Sequence, residues 1–287
     1  MMATLTDSAS TKRRRKPHGI RWVRLVPLGL LAVLAIIGPS ITPYDAERVA
    51  GPTSQPPSAA HWFGTDSTGL DVFSQLVAAT QLNVFIATAV VLVSTVVGIA
   101  VGVLVGMNES GAGAGGGIAR GAGRVFDFVQ AIPSVIVGLV LVSFFGPSVT
   151  TIVFALGVIL APIQARLVRT EVLRVRGEAY INAARMSGTD ELTLTFRHVL
   201  PNSSGPAVSN MSVLFGVSVI LTAALGFLGA GLPPPTPEWG AMISRGATDA
   251  AVGRWWSGTF PAIALVACVA AVALAFTAFP ARGSSRR

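Results

Sequence analysis

Long apolar runs, separated by shorter segments that hold nearly all the charge, set the pattern of this chain. A bilayer core of about 30 Å takes roughly 20 apolar residues as a helix. Six runs are long enough: Trp22–Ile41, Leu82–Val105, Val125–Phe145, Ser148–Ala165, Ala207–Leu232 and Thr259–Pro280. Lipid offers no partner to a free backbone N–H or C=O, so each run is expected to be a helix. Pro27, Pro133 and Pro162 fall inside these runs, where neighbouring helices accommodate a kink. The predicted fold class is an all-α membrane protein with six transmembrane helices.

The polar segments give that bundle a direction. Basic residues stay on the cytoplasmic side of short loops. With the N-terminus inside, 18 of the 21 Lys and Arg face the cytoplasm, leaving only Arg48, Arg245 and Arg254 outside. Both termini are therefore expected in the cytoplasm. The chain then divides into a basic tail 1–21, a first transmembrane helix 22–41, an extracytoplasmic segment 42–81, a five-helix core 82–280 and a short tail 281–287. Lys12–Lys16 before an apolar run has the outline of a secretory signal. The length of that run, and Gly38-Pro39-Ser40 as a poor small-x-small cleavage site, favour an uncleaved anchor. A basic run beside anionic lipid reads as a topology signal before it reads as nucleic-acid binding.

Composition sharpens the class. Only 12% of the residues are charged, against about 25% in soluble chains, and the mean hydropathy is +0.66. Lys12 and Lys16 are the only lysines, so the Gly-x4-Gly-Lys-Ser/Thr phosphate loop, whose Lys reaches the β/γ-phosphates, is absent. Cys268 stands alone, and His18, His61 and His198 are scattered without metal-ligand spacing. No metal or nucleotide site is expected in this chain. An ion-coupled secondary transporter needs ionisable groups near the midplane, yet Arg24 and Asp127 lie only at span edges. An intramembrane enzyme needs a nucleophile with a base, and Ser143 has no visible partner.

Three segments between the spans carry pattern of their own. In 71–81, Val72, Phe73, Leu76 and Val77 share one helical face, which predicts an interfacial helix leading into the second span. Gly111–Gly117 follows a span rather than a strand, so a flexible linker is expected rather than a phosphate cradle. The outer loop 233–258 opens on Pro233-Pro-Pro-Thr-Pro237, expected as a stiff extended segment, followed by Glu238 and Trp239. Its tryptophans read as interfacial anchors or as a partner-facing surface.

The inside loop 166–206 is the most specific. Val168, Val172, Val175, Ala179, Ala183 and Met186 recur at helical spacing, which predicts that the fourth span continues beyond the membrane as one amphipathic helix. Gly188 is placed to end it with φ > 0. Thr189 reads as an N-cap, with Asp190 and Glu191 in the first turn of a second helix. Leu192, Phe196, Val199 and Leu200 line one side of that helix, and Pro201 is expected to stop it. An apolar face exposed on such a hairpin marks a partner site.

Asn182-Ala-Ala-Arg-Met-Ser-Gly188, nine residues, then His198-Val-Leu-Pro201 resembles the coupling loop of ABC importer membrane subunits, Glu-Ala-Ala-x3-Gly-x9-Ile-x-Leu-Pro. Phe63-Gly-Thr-Asp-Ser-Thr-Gly-Leu-Asp-Val72, Ala131-Ile-Pro-Ser134 and Phe227–Gly240 resemble the second (C-type) subunit of the dipeptide/oligopeptide permease subfamily. Asn182 departs from the usual Glu, Leu70 from the frequent Arg, and the C-terminal tail is short. The resemblance implies the type I ABC importer transmembrane fold in a prokaryotic cell membrane. It implies a second homologous permease, two ATP-binding subunits that use ATP and Mg, and an extracytoplasmic peptide-binding protein. Ala183, Ala184, Gly188, Asp190, Leu192, Phe196, Leu200 and Pro201 would then couple to the ATPase. Asn210, Ser218 and Thr222 would line the path of a peptide or simply pack helices, while Glu238 and Trp239 would face the binding protein. Nickel importers share this subunit type, so nickel or another small solute is the alternative cargo.

Overall fold

The computed structural model describes residues 23–109 and 114–278. The basic run Lys12–Lys16, both tails and the side chains of Arg120 and Asp127 lie outside the described residues. Among the described residues, eleven α-helical segments and one π turn follow in order. They are α1 (Val26–Ile41), α2 (Val72–Asn108), α3 (Ala114–Ala131), α4 (Ser134–Phe145), α5 (Val149–Arg176) and α6 (Ala179–Met186). After these come α7 (Glu191–Leu194), a π turn (Thr195–Val199), α8 (Leu200–Ser203), α9 (Gly205–Phe227), α10 (Trp239–Ala250) and α11 (Trp256–Phe276). Among the described residues, four helices are long and apolar enough to cross a membrane: α2, α5, α9 and α11. The first and third expected spans correspond to shorter apolar helices, α1 and α4.

The spine of the bundle is the pair α2 and α5, packed along their length. Gly98, Gly102 and Gly106 of α2 make that approach possible. A methyl at Gly102 would come within 2.7 Å of both Ala165 O and Val168 Cβ, and one at Gly106 within 2.7 Å of Val172 Cγ1. Small residues at such a crossing let dispersion contacts act where lipid supplies no hydrophobic drive. Ile86, Val90, Leu156, Leu160, Leu214 and Leu225 fill the centre between α2, α5 and α9. One further apolar cluster closes each end of the bundle.

Four expectations need correction. The interfacial helix at 71–81 is the first part of α2 itself, capped by Asp71, whose side chain accepts from Ser74 N. Val72 and Ala79 are buried there against Trp239 and Trp256, so this face meets protein rather than headgroups. The run Val125–Phe145 is not one helix: it breaks at Ile132-Pro133 into α3 and α4, because proline lacks an N–H and pushes its predecessor out of the helical region. The glycine-rich segment is helical from Ala114 onward. The proline run turns rather than extends, with Thr236 N–H donating to Pro233 O at 3.2 Å.

Candidate functional site

At one end of the bundle a helical hairpin, residues 178–203, stands on the ends of α2, α5 and α9. Its base is a buried cluster of Val103, Val168, Val172, Val175, Ile181, Leu194, Val199 and Ala207. The expected uninterrupted stripe from Val168 to Met186 stops at Gly177, which caps α5 with its N–H on Arg174 O. The chain restarts as α6 with its face rotated. Ile181 is then buried and Ala184 packs on the cluster, while Ala183 is exposed and Met186 is 89% exposed.

Gly188 turns the hairpin at φ +84. Its N–H donates to Arg185 O at 3.0 Å, and Thr189 N–H reaches Ala184 O at 3.1 Å. That pair of bonds is a Schellman motif, which needs a residue at ease with positive φ. The N-cap of the next helix is Asp190 rather than Thr189, its carboxylate accepting from Thr193 N at 2.9 Å. That bond holds the Asp190 carboxyl below the usual carboxylate range. Across the turn Arg185 Nε donates to Glu191 Oε1 at 2.7 Å, and this hydrogen bond likewise lowers the Glu191 pKa. Both partners are substantially exposed, so the pair adds at most about 1 kcal/mol.

The π turn then decides which side chains face out. An α-helix would set residues five apart on different faces, whereas i→i+5 bonding aligns them. Leu194 and Val199 therefore both enter the base cluster, each fully buried. Leu192 and Phe196 are turned outward, 72% and 67% exposed. The chain stays helical through Pro201, the second residue of α8, directly after the π turn. Of the predicted coupling residues, Ala183, Gly188, Asp190, Leu192, Phe196 and Pro201 lie on the exposed side. Ala184 and Leu200 instead pack inward on the base cluster. Val199, expected beside Phe196, belongs to the base. Met186, read from sequence as the end of the amphipathic stripe, is the most exposed apolar residue of the tip.

The residues predicted to line a path do not share a surface. Ser218 is fully buried and donates to Leu214 O at 2.7 Å within its own helix. Thr222 is 2% exposed, in the helix packing of α9. Asn210 joins a polar chain that sequence reading missed. Asn210 Nδ2 donates to Gln164 Oε1 at 3.2 Å, and Gln164 Nε2 donates to Thr95 Oγ1 at 2.9 Å and Ala207 O at 3.0 Å. Gln164 is fully buried, so this chain ties α2, α5 and α9 together with satisfied groups.

At the opposite end, Glu238 and Trp239 face inward rather than toward a partner. Glu238 is fully buried and caps α10, accepting from Gly240 N at 2.7 Å and Ala241 N at 2.8 Å. Burial pushes its carboxyl up to about 7, against the lowering effect of those two bonds. Trp239 is 1% exposed, packed among Val72, Ala79, Met242 and Trp256. Trp256 in turn donates from Nε1 to Thr65 O at 3.1 Å, pinning the 42–71 segment to α11.

Residues 98–282 match the family described as binding-protein-dependent transport system inner membrane component. The chain is 34% identical to a glutathione transport system permease protein, GsiD, of Pectobacterium atrosepticum, over 84% of this chain and 79% of that protein. It is 34% identical to a dipeptide transport system permease protein, DppC, of Alkalihalophilus pseudofirmus, over 81% of this chain and 75% of that one. A probable D,D-dipeptide permease, DdpC, of Escherichia coli is 32% identical over 83% and 78%. The hairpin and most of the bundle fall within the matched stretch, and the chain belongs to the binding-protein-dependent transport system inner membrane component family.

Proposed function

We propose that this chain is the membrane-spanning half of an ATP-driven peptide importer in a bacterial plasma membrane, coupled to its ATPase through the hairpin at 178–203. The peptide cargo follows from the names of the relatives. In this reading α1 and the α3–α4 pair complete six spans, with both termini in the cytoplasm, the orientation that the distribution of basic residues favours. A second homologous permease would complete the path. Two ATP-binding subunits would hydrolyse ATP, and an extracytoplasmic protein would deliver the peptide. The chain supplies no ATPase site of its own.

The observation that supports this reading most is the hairpin tip. Met186, Leu192 and Phe196 are exposed on a segment whose base is fully buried. An apolar tip on a rigid mount both binds a groove and transmits its movement. Closure of the nucleotide-bound ATPase dimer would displace the tip, and the base cluster would pass that displacement to α2, α5 and α9.

Gly188 provides the test. A β-branched residue at φ +84 is strained by about 1–2 kcal/mol, and proline cannot adopt that φ. Gly188→Val and Gly188→Pro should insert normally in the membrane yet lose at least tenfold in peptide uptake. Normal uptake by a correctly inserted Gly188→Pro variant would sink the coupling role.

A further inference from the structure

On the flank of the bundle, α1, α2, α9 and α11 enclose an open cavity of about 240 Å³. Its walls are side chains such as Leu28, Leu31, Val91, Phe215, Val272 and Phe276, and among the described residues its only polar members are Thr88 and Ser212. Neither hydroxyl is offered to a ligand. Thr88 Oγ1 donates to Val84 O at 2.7 Å, and Ser212 Oγ to Ser209 O at 3.5 Å. A peptide or sugar entering here would lose its hydrogen bonds to water and find no replacement. An apolar chain loses nothing.

One end of the groove is marked by a cation. Arg24 lies one helical turn before Leu28. Its guanidinium reaches across to α11, donating to Thr277 O at 3.2 Å and Thr277 Oγ1 at 3.3 Å, next to Phe276. One guanidinium nitrogen is used in both bonds, and the side chain is exposed. The charge thus stands at the mouth of the apolar slot, at the hairpin end of the bundle, held by α11.

We propose that this groove is a binding site for an anionic phospholipid, with one acyl chain along Leu28, Leu31, Val272 and Phe276 and the phosphate against Arg24. The slot selects a hydrocarbon chain, and Arg24 selects a negative headgroup at its end. The site also ties α1 to α11 at the point where α1 is otherwise exposed to lipid on Leu30, Val33 and Ile36. This inference rests on groove chemistry and does not depend on the peptide cargo or on ATPase coupling.

The full-length chain, delipidated in detergent, is titrated with phosphatidylglycerol or with phosphatidylcholine of the same acyl chains. Bound lipid is counted by native mass spectrometry. The site predicts a preference for phosphatidylglycerol of about fivefold, the ratio that one surface cation gives near an anionic headgroup. Arg24→Gln should erase that preference while leaving the unfolding midpoint of the lipid-free chain unchanged. Arg254→Gln, at the other end of the bundle, should leave it intact. Ala32→Phe, which fills the groove, should weaken both lipids. If that variant is unfolded, Ser212→Leu takes its place. sn-Glycerol 3-phosphate, which has the charge without the chains, should not compete. Equal binding of the two lipids, a preference that survives Arg24→Gln, or competition by glycerol phosphate would overturn the proposal. So would displacement of the lipid when the second permease subunit binds, since the groove would then belong to that protein.

Discussion

The two ends of this bundle use similar sequence materials to opposite ends. Each end carries a short helix introduced by an acidic cap, Asp190 at the hairpin and Glu238 at the outer loop. Each has large apolar residues close by. At the hairpin these residues point away from the protein: Met186 and Phe196 are largely exposed. At the outer loop they point inward: Trp239 is 1% exposed and its cap carboxylate is fully buried. Burial of an aromatic next to an N-cap makes a keystone, whereas exposure of one on a rigid mount makes a contact surface. Hydropathy is blind to that difference, because it is set by which residue the backbone turns toward the bundle.

Substitutions at matched positions separate the two roles. Trp239→Ala should produce the largest change in stability, about 3–5 kcal/mol, by opening a cavity among Val72, Met242 and Trp256. A thermal unfolding curve in detergent reads it directly. Phe196→Ala should shift that curve by less than about 0.5 kcal/mol, as an exposed position does. Its effect should instead appear as loss of the ATP-binding subunits on co-purification, about 2 kcal/mol or more if Phe196 anchors the interface. A reversed outcome at these two positions would invert the comparison.

Glu238 gives the pH dependence of the keystone. Its carboxyl is raised from 4.5 to about 7 by burial, so folding favours the protonated form. The stability from this group is fully present below pH 4.5 and is lost as the pH rises through about 7. The unfolding midpoint should therefore fall between pH 5 and pH 8, by an amount on the order of 1–3 kcal/mol. Glu238→Gln keeps an acceptor for the α10 cap and should flatten that slope. The smallest effect belongs to Arg185→Gln, which removes the exposed pair with Glu191 and should cost no more than about 1 kcal/mol.

Much of the fold is legible in the amino-acid sequence. The runs Leu82–Val105, Ser148–Ala165, Ala207–Leu232 and Thr259–Pro280 correspond to α2, α5, α9 and α11, because unbroken apolar length is a local property. Gly188 was readable for the same reason: positive φ at a helix end calls for glycine. Thr189 and Asp190 are adjacent capping residues, and only the backbone geometry distinguishes the one that caps. The outward turn of Leu192 and Phe196 away from Val199 depends on the π turn, which no periodicity in Thr195–Val199 announces. The burial of Glu238 was equally hidden. A carboxylate reads as surface, and what buries it is the close passage of Gly226 and Gly231, distant in neither space nor packing but unmarked in local pattern.

The role proposed for the exposed hairpin tip is engagement of the ATPase. Its most direct test is peptide-stimulated ATP hydrolysis by the assembled transporter in lipid discs, comparing the wild type with Leu192→Ser/Phe196→Ser. This variant should have an unchanged unfolding midpoint and no peptide-stimulated hydrolysis. Full stimulation in the variant would contradict it.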